Sequence, residues 1–145
     1  MLYVVTGPPA SGKSSWIAAR AKGTDIVVDL DSIALALAGP GAPRWQHHDV
    51  LLKVAHRARF AAIDEACQHL DTTDVYLIHT QPSAKARAKY KRLNARIVVV
   101  DPGRDVVMQR VRDMRHPGME GVVTRWYRQQ PAAQRGSMPQ SSRRW

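Results

Sequence analysis

Four short apolar runs punctuate the chain, at residues 2–6, 25–29, 75–78 and 97–100. All are rich in β-branched or aromatic residues, and such runs predict buried strands. Between and after them, apolar positions recur at three- and four-residue steps, which predicts helices. The first covers residues 15–21 and ends at Lys22-Gly23; the second covers 33–38, capped by Asp31-Ser32. A long third helix runs from its cap Asp49 to about Leu70, with Leu51, Val54, Ala55, Ala58, Ala62 and Ala66 as its apolar face. A strongly basic helix starts at Gln81-Pro82-Ser83 and reaches about Leu93; two more cover 105–115 and 122–129. Gly39-Pro40-Gly41-Ala42-Pro43, Asp101-Pro102-Gly103 and His116-Pro117-Gly118 are breakers by their turn chemistry. Strands alternating with helices predict parallel βαβ units. The expectation is one three-layer α/β domain over residues 1–130 with a mostly parallel central sheet. Residues 131–145 are Pro, Gln, Ser, Gly and Arg with little to bury, so they read as a basic, disordered tail. Ligands of such a sheet sit at the carboxyl ends of its strands.

The first strand runs into Gly-Pro-Pro-Ala-Ser-Gly-Lys-Ser at residues 7–14. Gly7, Gly12, Lys13 and Ser14 fill the pattern of a phosphate-binding P-loop, in the strand–turn–helix context that the motif requires. Glycines let such a loop curl so that successive N–H groups point at phosphate oxygens, and the helix after it adds the positive end of its dipole. Lys13 is expected to reach the β- and γ-phosphates and the Ser14 hydroxyl to ligate Mg²⁺. The expected nucleotide contacts are Gly7, Ala10, Ser11, Gly12, Lys13, Ser14 and Ser15. A P-loop alone does not separate kinases from ATPases, GTPases or binding modules.

Composition narrows this further. At 145 residues and 44% hydrophobic content, the chain reads as one globular domain. No stretch approaches the ~20 apolar residues that span a bilayer, and the start lacks the basic and apolar regions of a signal peptide. A cytoplasmic protein without a membrane partner is expected. Cys67 is the sole cysteine, so no disulfide framework or Cys-based metal site is predicted; it reads as a small buried hydrophobe. The net charge of +10 is uneven: residues 1–84 hold 7 Lys/Arg against 8 Asp/Glu, and residues 85–145 hold 15 against 4. Lys85, Arg87, Lys89, Lys91 and Arg92 crowd one helix. Such an excess suits single-stranded nucleic acid or a nucleotide, or else forms a solvated basic face and tail.

Strand ends supply the candidate chemistry. Phosphoryl transfer needs a carboxylate to orient an acceptor hydroxyl and take its proton. Asp31, just beyond the second strand, is the favoured base, the bland alternative being a helix cap. Asp29 reads as structural or as helping to position Mg²⁺. The third strand ends in His79-Thr80-Gln81, either acceptor contacts or a plain turn. After the fourth strand, Arg110, Arg112 and Arg115 suit a lid that neutralises charge on the transferring group, or a solvated helical face. His47 and His48 read as surface residues.

Together these residues resemble the P-loop kinase domain of phage-type polynucleotide 5′-hydroxyl kinases. The likeness spans roughly residues 1–130 and rests on the loop through Trp16, on Asp31, on Asp101-Pro102 before the arginines, and on Gly121-Val122-Val123-Thr124-Arg125-Trp126-Tyr127. It implies ATP or another nucleoside triphosphate with Mg²⁺, Asp31 as general base, and a lid arginine among Arg110, Arg112 and Arg115. Two positions depart from the family: Ala34 stands where it carries an arginine for the acceptor phosphate, and His79 where it carries an acid. The expected activity is transfer of the γ-phosphoryl group to a hydroxyl of a polynucleotide 5′ end or a nucleotide. A small-metabolite or nucleoside kinase and a non-catalytic ATP- and nucleic-acid-binding module are the alternatives.

Overall fold

β1 (Leu2–Thr6), β2 (Ile26–Val28), β3 (Val75–Ile78) and β4 (Arg96–Val99) form an all-parallel sheet in the order β2-β3-β1-β4. The computed structural model describes residues 1–44, 46–114 and 118–130. Parallel neighbours need long crossovers, and helices supply them. α1 (Lys13–Ala18) joins β1 to β2. α2 (Leu30–Leu37) and α3 (Asp49–Ala66), the latter extended by a 3-10 turn at Cys67–His69, join β2 to β3. α4 (Ala84–Arg92) joins β3 to β4, and α5 (Arg104–Met114) and α6 (Met119–Gln129) follow.

Side chains alternate across a strand, and here both faces of the sheet are apolar. Leu2 and Val4 of β1, with Val28, Val75 and Leu77, pack against Ile63 and Ala66 of α3 and Tyr90 of α4. Val5 packs with Tyr76, Val100 and Ile17 of α1 on the other face. The Tyr3 and Tyr76 rings stack there at 4.8 Å. Helices on both faces make the three-layer α/β arrangement that the alternating pattern predicts. A third cluster, Val107, Val111 and Val123, joins α5 to α6 and reaches Ala10 of the glycine-containing loop after β1.

Three local expectations change. α2 begins at Leu30, so Asp29, not Asp31, is its N-cap; Asp29 is still extended and its Oδ2 accepts from Ser32 Oγ at 2.7 Å. α3 is capped by His48, whose Nδ1 accepts from the Leu51 amide, leaving Asp49 in the first turn, where a carboxylate suits the dipole. The buried face of α3 is Ala55, Arg59, Ile63 and Ala66, while Val54 is 51% exposed. An alanine-rich helix offers several faces of similar apolarity, and packing against α2 and the sheet chooses between them. Cys67 is half-buried against the α3-side core. The segment 131–145 lies outside the described residues, as does Arg115. Among the described residues no helix is long and apolar enough to cross a membrane.

Leu77 is fully buried in β3 between β1 and β2. Leu77→Ala should cost about 2–5 kcal/mol, read as a lower urea midpoint with an unchanged slope. A loss below about 1 kcal/mol would show that the core is not centred there.

Candidate functional site

The sheet ladder continues past the strands and brings their carboxyl ends level. The His79 amide donates to Val5 O at 3.0 Å and the Val100 amide to Thr6 O at 2.8 Å. The chain then turns at Gly7, with φ at 151°, directly over Val100. A Cβ on Gly7 would strike the Val100 carbonyl oxygen and stand 2.7 Å from Ser11 Oγ, so only glycine fits. Gly12, at φ 101°, starts α1. Ala10 also adopts a positive φ of 58°, a region that non-glycine residues keep only where their surroundings hold them. Here α5 and α6 pack on Ala10, and Arg110 Nη1 donates to its carbonyl at 3.1 Å.

Inside this loop, Lys13 Nζ donates to Gly7 O at 2.9 Å and Pro8 O at 2.7 Å. Burial lowers its pKa to about 8, while the Asp29 and Asp31 carboxylates act the other way. Ser11 is 1% exposed and its Oγ has no hydrogen-bond partner, an orphaned polar group facing the loop. Ser14 and Ser15 are exposed on the first turn of α1. Ser14 and Asp29 share a hollow of about 220 Å³ between α1 and α2, walled by Ile17, Val27 and Ile78. Asp31 turns away from that hollow toward His47, with Oδ1 3.4 Å from Nε2. The His47 side chain is 4% exposed while that of Asp31 is 70% exposed. His47 is therefore not the surface residue its polar neighbourhood suggests. Its buried Nε2 makes no hydrogen bond, so the contact with Asp31 is close but unaligned.

At the end of β3 stands a group that the periodicity conceals. Arg59, 7% exposed on the buried face of α3, donates from Nη2 to Ile78 O at 3.1 Å. Its signal was an arginine four residues from Ala55 and from Ile63, inside an apolar stripe. His79 Nδ1 lies 3.1 Å from the Tyr90 hydroxyl. Burial, helped by Arg59 and Arg87, lowers the His79 pKa to about 4, so its imidazole is neutral at pH 7.

The three candidate lid arginines separate. Arg110 is on the loop at residues 7–14, as above. Arg112 Nε pairs with Glu120 Oε1 at 2.5 Å on the exposed side of the α5–α6 pair. Arg115 lies outside the described residues. Two aromatic residues then pin α6 across the strand ends. Trp126 Nε1 donates to Thr80 O at 2.9 Å, and the Tyr127 hydroxyl donates to Asp101 Oδ1 at 2.5 Å. Burial and that carboxylate push the Tyr127 pKa well above its ordinary value. The same Asp101 oxygen accepts from the Gly103 amide, so one carboxylate shapes the turn after β4 and anchors α6.

Comparison with models of known protein families gives no match, and comparison with curated proteins gives none.

Lys13 must be charged to hold an anion, and in the free protein it discharges above pH of about 8. Binding a phosphate beside it at higher pH therefore takes up a proton. If the loop at 7–14 takes a nucleoside triphosphate, its affinity, measured calorimetrically, should be level below that pH and then fall with a logarithmic slope approaching about one per pH unit. Lys13→Met should remove most of the affinity together with its pH dependence. A level affinity in the wild type from about pH 7 to 10 would take Lys13 out of the site.

Proposed function

We propose that this chain is an ATP-dependent phosphotransferase that moves the γ-phosphoryl group to a hydroxyl of a polynucleotide 5′ end or a nucleotide, in the manner of phage-type polynucleotide 5′-hydroxyl kinases. The observation that carries this reading is the loop at 7–14. Its curl depends on Gly7, its lysine sits on its own carbonyls, and its buried Ser11 hydroxyl lacks a partner. Those features fit the triphosphate of a nucleotide.

Bound ATP, or another nucleoside triphosphate, supplies with Mg²⁺ an electrophilic phosphoryl group. Ser14 would hold the metal, and Asp29, which lines the same hollow, would help to orient it. The loop amides and Lys13 neutralise phosphate charge, and positioning with charge neutralisation is most of what phosphoryl transfer asks of a protein. Lys13 can release the Gly7 and Pro8 carbonyls for a phosphate oxygen, since an ion pair outweighs hydrogen bonds to neutral carbonyls. Asp31, exposed on the first turn of α2, accepts the proton of the acceptor hydroxyl, and the buried His47 beside it limits where its carboxylate can go. Arg110, held at Ala10, adds positive charge beside the loop. α5 and α6, pinned by Trp126 and Tyr127, help to exclude water.

Transfer from γ-labelled ATP to an oligonucleotide, a nucleoside monophosphate and a nucleoside tests the reading directly. Tight, Lys13-dependent ATP binding with no transfer to any acceptor would reduce the chain to a binding module. Asp31→Asn should cut transfer by a factor on the order of 10²–10⁴ while ATP affinity holds within a few-fold. Should Asp29→Asn behave this way and Asp31→Asn keep its rate, the base is Asp29.

Arg110 and Arg112 make a second comparison. Arg110→Ala should lower kcat more than it raises KM for ATP, the mark of an interaction made in the transition state. The loss for Arg112→Ala should be much smaller, because its guanidinium is on Glu120. Equal losses for the two variants would discard Arg110 as the lid arginine.

A further inference from the structure

On the face of the sheet away from α1, a second cavity of about 340 Å³ opens between α4, α6 and the edge strand β4. Ile97, Val99, Pro82 and Trp126 give it apolar walls, and the Gln81 and Gln130 side chains put amide groups at one end. Arg87 and Lys91 also line it, four residues apart on α4, which places them on one helix face. We infer that this cavity is a second nucleotide site, taking a nucleobase between its walls with the adjoining phosphate on Arg87 and Lys91.

Three observations carry the inference. The first is size and shape, since cavities of roughly 300 Å³ and above are those that bury small ligands. The second is the mixture of chemistry. A hydrocarbon chain would satisfy the apolar walls but strand the Gln81 amide nitrogen. Gln130 Nε2 is held by Trp126 O at 3.1 Å and reaches Gln81 Oε1 at 3.3 Å, so it orients the Gln81 amide, whose nitrogen can meet the edge of a planar heterocycle. The third is charge. No lining residue is acidic, and among the described residues neither Arg87 nor Lys91 forms an ion pair. Their neighbour Lys89 differs: its ammonium is 2.6 Å from Asp64, on the α3 side of the same helix. The basic run on α4 therefore divides, and only its Arg87–Lys91 edge is free for an anion at the cavity. A nucleotide unit meets all three demands, whether free or part of a strand.

The site stands on its own residues and does not depend on phosphoryl transfer, so its test can be kept apart from the P-loop. The full chain carrying Lys13→Ala is titrated by calorimetry with AMP, with UMP and with a short single-stranded oligonucleotide, adenosine and inorganic phosphate being controls. The expected result is that at least one of the three nucleotide probes binds this variant as well as it binds the wild type. Binding by the monophosphates identifies free nucleotides as ligands; binding by the oligonucleotide alone identifies a strand. Arg87→Ala and Lys91→Ala should each weaken that binding by roughly tenfold, the worth of one charge-assisted hydrogen bond. Ala95→Leu, which intrudes into the cavity but keeps both cations, should weaken it at least as much. Thermal melts verify that each variant is folded. The inference fails if no probe binds the Lys13→Ala protein, which would move all nucleotide binding to the P-loop. It fails equally if binding survives unchanged in the Arg87 and Lys91 variants, or in folded Ala95→Leu.

Discussion

The contact that the rest of the site depends on is the approach of the Gly7 backbone to that of Val100. β1 lies between β3 and β4, so whatever leaves its carboxyl end must pass over a neighbour. The ladder bond from Val100 to Thr6 holds β4 under that exit, and the missing Cβ at Gly7 lets the loop lie directly on it. This fixes the loop's height. Lys13 then finds the Gly7 and Pro8 carbonyls within reach, and Ser11 is enclosed beneath the curl. A loop raised by the thickness of one methyl group would lose both. It would also lift Ala10 away from the α5–α6 pair, whose apolar cluster includes it.

That last link makes the helices after β4 part of the loop's support. α5 and α6 close a small core of their own around Val107, Val111 and Val123, which leaves few contacts to hold them against the sheet. Polar bonds at three strand ends do that instead: Trp126 to Thr80, Tyr127 to Asp101, Arg110 to Ala10. Each bond ends on backbone or on a carboxylate that also shapes a turn. A helix pair tied down by a few partly buried hydrogen bonds is worth modest free energy per bond. It is therefore held to the strand ends less firmly than the strands are held to one another.

How much of this is legible in the amino acids follows from the range of each interaction. The four strands are legible because a parallel sheet covered on both faces needs continuous apolar runs, and 75–78 and 97–100 are such runs. The turn at 7–14 between β1 and α1 is legible because its demands are local, one backbone turn over eight residues. The long-range choices are not. Nothing in the spacing of Arg110, Arg112 and Arg115 says that Arg110 meets Ala10 while Arg112 meets Glu120, since both sit on one short helix and the choice depends on how α5 docks. His47 looks like loop surface because its burial comes from packing against the start of α2. Arg59 is hidden for the opposite reason: it occupies a core position of α3, where a long stem can be buried while its head reaches a carbonyl. Asp31 and Asp29 exchange cap and first-turn positions because β2 stops at Val28, one residue earlier than its apolar run suggests.

The charge imbalance acquires a location from this geometry. In the first half of the chain the charges that matter face inward: Lys13 lies within the fields of Asp29 and Asp31, and Arg59 within that of Asp29. In the second half, Lys89 pairs with Asp64 and Arg112 with Glu120. Among the described residues, most of the other cations of that half stand on α4 and α6, the two helices that border the cavity beside β4. An anion approaching the molecule is therefore drawn first to the α4–α6 side. Arg87 continues that positive charge inward to His79 at the end of β3, where burial keeps the imidazole uncharged so that the charge of Arg59 and Arg87 is not joined by a third.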